Sequence, residues 1–150
     1  MKTRTAPPIP PPAIVAAAVG CQMLLSRRHS STRGEKVAAV VVGSASMGIA
    51  VWADVSFYRA HTSVNPLRPE ASSSLVTTGA NGFTRNPMYV GMLGGIVAHG
   101  LWRGGAATML PAAGAWWWLD KLQIAAEEHV LTEKYGQEYQ RYLSRVPRWL

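Results

Sequence analysis

Two polar clusters separated by apolar sequence hold the residues best suited to chemistry. The first runs from Leu75 through Val76, Thr77, Thr78 and Gly79 to Arg85, Asn86, Pro87, Met88, Tyr89 and Gly91. The second is Glu127-Glu128, followed by Leu131, Gly136, Tyr139, Tyr142 and Val146-Pro147-Arg148. Carboxylates beside aromatic rings suit a cationic ligand, because a carboxylate pairs with an ammonium and a ring face attracts positive charge. Glu127, Tyr89 and Phe83 have side chains of the right kind. Each cluster also has a plain structural reading, as a capped helix start and as surface carboxylates on a helix.

The elements that must position these residues are helical. Asn86 is suited to cap the first free N–H groups of a helix, and Pro87 suits the first helical position, where its missing N–H costs nothing. Thr77-Thr78-Gly79 and Asn81-Gly82 are turn formers, so a loop delivers the chain to that helix. Leu131, Tyr135, Tyr139, Tyr142 and Leu143 recur at helical spacing with Lys134, Glu138 and Arg141 between them, which predicts an amphipathic helix over 123–144. Before it lie four apolar runs, at 13–26, 37–53, 88–102 and 106–119. Each is shorter than the ~20 residues that comfortably cross a bilayer, so a soluble helical bundle is the competing arrangement.

Three features favour a membrane. The runs are apolar all round, where a surface helix of a soluble protein has a charged stripe. The tryptophans, Trp52, Trp102, Trp116, Trp117, Trp118 and Trp149, sit at or near the ends of runs or of the chain, as in an interfacial aromatic belt. Small residues crowd the runs (Gly43, Ser44, Ser46, Gly48; Gly91, Gly94, Gly95), as helix packing in lipid prefers. Four spans put Lys2, Arg4, Arg59, Arg68, Arg85, Lys121, Lys134, Arg141, Arg145 and Arg148 on one side, and Arg27, Arg28, Arg33, Lys36 and Arg103 on the other. That bias assigns the termini and both polar clusters to the cytoplasmic side of the cell (inner) membrane.

In this order, L-V-T-x-G, R-N-P-x-Y-x-G, E-E-x-x-L and G-x-x-Y-x-x-Y-x-x-x-V-P-R resemble the isoprenylcysteine carboxyl methyltransferase family, whose wider relatives include the membrane phospholipid N-methyltransferases. The motifs occupy 75–148, with an echo in Thr62-Ser63-Val64-Asn65-Pro66. The resemblance implies S-adenosylmethionine as cofactor. By motif match it implies contacts from Ser74, Leu75, Val76, Asn86, Pro87, Met88, Tyr89 and Glu127, with Arg85 and Glu128 completing the set. The chain departs from the pattern at Asn81, where many members have an aromatic residue. It departs again at Gln123, where the carboxyl methyltransferases have an arginine apt for a substrate carboxylate. A neutral amide cannot neutralise a carboxylate as a guanidinium does; Gln123 and Arg145 are the substrate-binding candidates, with Lys121 a further cation nearby.

Composition bounds the rest. The 150 residues suit one domain, with 1–12 a proline-rich extended lead-in, and 48% hydrophobic against 15% charged residues contrasts with the roughly 25% charge of soluble proteins. The net charge of +7 suits anionic lipid heads, and its scatter among apolar segments argues against nucleic acid. A single cysteine, Cys21, excludes an internal disulfide, and four dispersed histidines suggest no metal. His99, inside an apolar run, is read as packing near a helix end. No residue stands out as a catalytic acid or base. The sequence therefore predicts an all-α polytopic membrane bundle of about four transmembrane helices plus a C-terminal amphipathic helix. Its expected role is methyl transfer to a lipophilic small molecule or lipidated acceptor, with a non-catalytic membrane scaffold as the alternative and the acceptor group and oligomeric state left open.

Overall fold

Thr32 and Glu35 begin the longest helix with a reciprocal cap. The Thr32 side chain accepts from the Glu35 N–H at 3.2 Å, and a Glu35 carboxylate oxygen accepts from the Thr32 N–H at 2.7 Å. Such a box satisfies two end groups at once and stabilises a helix by about 1 kcal/mol. In a computed structural model that describes residues 9–26, 29–60 and 74–150, the helix it starts is α2, Arg33–Arg59. α2 extends well beyond the apolar run 37–53 at both ends, because polar residues at its termini continue the helix as readily as the apolar ones. It is the one described helix long and apolar enough to cross a membrane, and only 17% of its most apolar window is buried inside the protein. An apolar core helix of a soluble bundle would be mostly covered, so this exposure favours lipid over water.

The described residues fold as helices and connecting turns, with α1 spanning Pro11–Leu25, α3 Pro87–Arg103 and α4 Leu110–Trp118, then α5 Ile124–Tyr135 and α6 Gln137–Leu143. Pro11 and Pro12 open α1, which corrects the expectation that the prolines keep residues up to 12 extended: at a helix start the missing N–H groups are not needed. The expected single helix over 123–144 is also corrected. It divides at Gly136, whose φ of +51° is a backbone state that side-chain-bearing residues resist. Its first part continues upstream, since α4 and α5 join through a π-helical turn, Leu119–Gln123, in which the Ile124 N–H reaches the Leu119 carbonyl. The lead-in 1–8, Arg27-Arg28, the Thr62 to Pro66 echo and Arg68 lie outside the described residues.

α2 and α3 form the tightest helix pair, and small residues are the reason. A Cβ built on Gly91 would lie 2.9 Å from the Ala50 Cβ and 3.1 Å from the Ser46 carbonyl, and one on Gly94 would collide with the Ser46 side chain. Gly43 faces Ala98 in the same way. The spacing 43, 46, 50 on one helix and 91, 94, 98 on the other keeps both stripes facing, as small-residue packing in lipid requires. Gly48 and Gly95 meet nothing and lie off the seam. α1 closes against α3 and α4 through Ala18, Ile96, Ala112 and Ala115.

A buried amide locks that end. Gln22 is fully buried, donates to the Ile96 and Thr108 carbonyls at 2.9 and 2.8 Å, and shares a 2.7 Å hydrogen bond with His99 Nδ1. His99 thus has a specific partner on α1 beyond packing alone.

Candidate functional site

The two polar clusters, far apart in sequence, meet at the junction of α4 and α5. α3 starts at Pro87, as expected, and two residues later presents the buried ring of Tyr89 against Leu119 of the π turn and Ile124 at the start of α5. The Tyr89 hydroxyl donates to Glu127 Oε1 at 2.5 Å. Gln123 Nε2 donates to the same oxygen at 2.6 Å. Gln123 is completely buried, so it positions Glu127 instead of offering its amide to a ligand at the surface.

Glu128, one residue on, has a different environment. Its Oε1 lies 2.8 Å from an Arg85 nitrogen and 3.1 Å from Arg148 Nε, and its Oε2 lies 2.5 Å from Arg148 Nη2. Arg148 Nη1 also reaches Asp120 Oδ1 at 3.0 Å, and that oxygen accepts from Trp149 Nε1 at 2.9 Å. Lys121 completes the pairing of Asp120 at 2.8 Å. Charge-assisted hydrogen bonds are the strong ones, and they spend the Arg148 guanidinium on protein carboxylates; Arg85 is ion-paired with Glu128, with its buried Nε left without a hydrogen-bond partner among the described residues.

Backbone contacts fasten the same segment to the loop before α3. The Arg148 carbonyl accepts from Thr84 Oγ1 at 2.9 Å and from Asn86 Nδ2 at 3.0 Å, and the Arg85 N–H donates to the Pro147 carbonyl at 2.9 Å. Asn86 therefore holds the capping position but makes no side-chain cap, which corrects the role expected for its side chain: the Arg148 carbonyl takes its amide instead. Tyr142 donates to the Asn81 carbonyl at 2.7 Å, and Asn81 donates to the Val76 carbonyl at 3.1 Å. Leu75 packs with Tyr139, Tyr142 and Val146.

The candidate residues thus divide. Tyr89, Gln123 and Glu127 form one contact group; Arg85 and Glu128 form another that shares Arg148 and Asp120. Leu75, Val76, Asn86, Pro87 and Met88 flank them on the loop and the first turn of α3. Ser74 is exposed and donates to the Ala60 carbonyl at 3.5 Å. Arg145 is exposed and turns back to the Arg141 carbonyl at 3.2 Å, away from the Glu127 group. Phe83 is exposed and tilts against Trp52, with ring centroids 5.4 Å apart. Sequence reasoning missed Asp120, Thr84 and Trp149. For Asp120 a signal was there, a carboxylate directly after an apolar, tryptophan-rich run, where ionisable groups need a partner.

Of the three carboxylates gathered here, Asp120, Glu127 and Glu128, Glu127 is the one with no cation beside it among the described residues. Among the described residues its partners are two neutral donors, whereas Glu128 and Asp120 each contact cations. Burial pushes its pKa up to about 7, the hydrogen bonds from Gln123 and Tyr89 working against that rise and the charge of Glu128 adding to it. A carboxylate set in from solvent, held by neutral donors alone, fits a ligand that carries positive charge.

Residues 38–138 match the family described as phospholipid methyltransferase. An uncharacterized protein of Haemophilus influenzae is 38% identical over 63 residues, which is 42% of this chain and the whole of that protein. No solved structure matches.

Proposed function

The chain belongs to the phospholipid methyltransferase family, and on that premise we propose that it transfers a methyl group from S-adenosylmethionine to a lipophilic acceptor held in the membrane. When bound, S-adenosylmethionine supplies a methyl carbon activated by its sulfonium. The protein's part is to hold the two reactants in line, which lowers such barriers by several kcal/mol, up to ~7–11 in ideal cases. Glu127 would pair with the cofactor's positive charge, its oxygen aimed by Tyr89 and Gln123. Ser74, Leu75, Val76, Asn86, Pro87 and Met88 would contact the cofactor along the loop and the start of α3. Arg85 and Glu128, bound to each other, would keep that loop and α5 in register.

The single observation that carries this reading is the contrast between neighbouring carboxylates, one paired with two arginines and one with none. Arg148 is committed to Glu128 and Asp120 and Gln123 to Glu127, while Arg85 is ion-paired with Glu128 and holds a buried Nε with no hydrogen-bond partner among the described residues. The acceptor group is therefore left open, a carboxylate included. Gln123 is an integral part of the Glu127 group, so its departure from the arginine pattern gives no support to a non-catalytic scaffold.

The polytopic arrangement belongs to the same proposal. α2 crosses the bilayer, α1, α3 and α4 complete the bundle in lipid, and the Glu127 end faces the cytoplasm of the inner membrane, where the cofactor is made. Calorimetric titration of S-adenosylmethionine and S-adenosylhomocysteine into detergent-purified protein is the direct test. Binding that falls more than tenfold in Glu127→Gln and Tyr89→Ala supports the reading. No binding by folded, monodisperse wild-type protein sinks it.

A further inference from the structure

At the other end of α2 from Gly79 and the loop, a shallow groove of about 280 Å³ is lined by Arg33, Lys36, Val37, Val40 and Val41 of α2 and by Trp102 of α3. The arrangement is graded along the helix. Two basic residues stand in the first turn of α2, and three exposed valines follow, Val37 at 58%, Val40 at 57% and Val41 at 63%. The Lys36 ammonium lies 5.8 Å from the centroid of the Trp102 ring, which holds the charge over an aromatic wall. The neighbouring charges are engaged elsewhere. Glu35 is turned back onto the Thr32 N–H and hydroxyl at 2.7 and 2.9 Å, and Arg103 donates to Ser26 at 2.7 Å. The groove itself is therefore lined with hydrocarbon, the stems of Arg33 and Lys36 included, and the Lys36 ammonium stands at its rim beside Trp102.

We propose that this groove is a binding site for an anionic phospholipid, its phosphate between Arg33 and Lys36 and an acyl chain along Val37, Val40 and Val41 against Trp102. The charge complementarity selects the headgroup, and the run of exposed valines down the candidate span selects a chain that lies parallel to α2. Inorganic phosphate shares the first contact and lacks the second. A zwitterionic lipid shares the second but gains less from the first, since its own cation offsets the phosphate. Basic side chains near a membrane surface each favour anionic lipid by about fivefold, so both together give a preference of about twenty-fivefold.

The test uses the full chain in detergent and phosphatidylglycerol or phosphatidylcholine with brominated acyl chains, which quench nearby tryptophan fluorescence. The quenching lost in a Trp102→Phe variant reports the groove. Wild-type protein should be quenched at about twenty-fivefold lower concentration of the glycerol lipid than of the choline lipid. Arg33→Gln/Lys36→Gln should bring the two lipids close to parity, and inorganic phosphate at millimolar concentration should leave the quenching in place. A preference that survives in the double variant, quenching unaltered by Trp102→Phe, or displacement by phosphate alone would each overturn the proposal. Both changed side chains are exposed, and the α2 cap at Thr32 and Glu35 is untouched, so the variant keeps its fold; unchanged thermal unfolding verifies this.

Discussion

Glu127 keeps its proton up to about pH 7, and a cationic ligand binds the ionised form. Cofactor affinity should therefore rise through that pH, by up to tenfold per unit below it, and level off above. Binding at pH 6 should release a proton, which calorimetry in two buffers of different ionisation enthalpy reads directly. The same shift has the opposite consequence for the ligand-free fold. A carboxyl whose folded pKa is raised contributes stability that is whole below its ordinary range and is lost as pH rises through 7. Tyr89→Phe removes one of the two donors that offset the burial of Glu127. Affinity at pH 7 should fall by about tenfold or more, up to ~150-fold, the value of one hydrogen bond to a charged group, and the midpoint of the pH profile should move upward. The sequence made Tyr89, Glu127 and Glu128 visible as candidates. It could not divide their work, because the two glutamates differ only in which neighbours the fold brings to each.

At the scale of elements, the α2–α3 seam and the 146–149 strap behave differently. Gly94→Val would drive a branched side chain into Ser46 and separate the helices, at about 1–3 kcal/mol as for other overpacked sites; Gly95→Ala, which meets nothing, should hold stability or raise it by up to about 1 kcal/mol. Thermal unfolding in detergent compares the two. Arg148→Met would leave Glu128 with Arg85 and Asp120 with Lys121, and should lower stability by roughly 1.5–3 kcal/mol while freeing the loop at Thr84 and Asn86 to proteolysis. Small residues in the apolar runs announced the seam from the sequence. Which glycines lie on it was not legible, since Gly94 and Gly95 are equivalent until helix phase and partner are known. Nor was the strap, whose contacts join Arg148 to residues as distant as Thr84.

For the molecule as a whole, the deciding quantity is the apolar surface left uncovered. Leu24, Val41, Met47, Val51, Leu110 and Trp117 are each exposed, and in water such a surface would drive aggregation. Alkaline carbonate washing should leave the protein in the membrane pellet, and only detergent should release it; recovery in the aqueous fraction would contradict a lipid environment. The all-helical architecture was readable from periodicity and capping. The lengths of the helices were not, since α2 and α1 begin and end on polar or proline residues that an apolar window leaves out.

The π turn at Leu119–Gln123 amounts to one residue too many in an otherwise regular helix from Leu110 to Tyr135. The wider turn absorbs the ~100° that one more residue would add to an ordinary helix, which is why Glu127 still falls beneath Tyr89 and Glu128 still meets both arginines. Deleting exposed Leu122 would restore ordinary winding and leave everything downstream in phase. The shortened chain should keep its helical content, its ion pairs and its acid beneath the ring, and bind cofactor as the parent does, which cofactor titration reads directly.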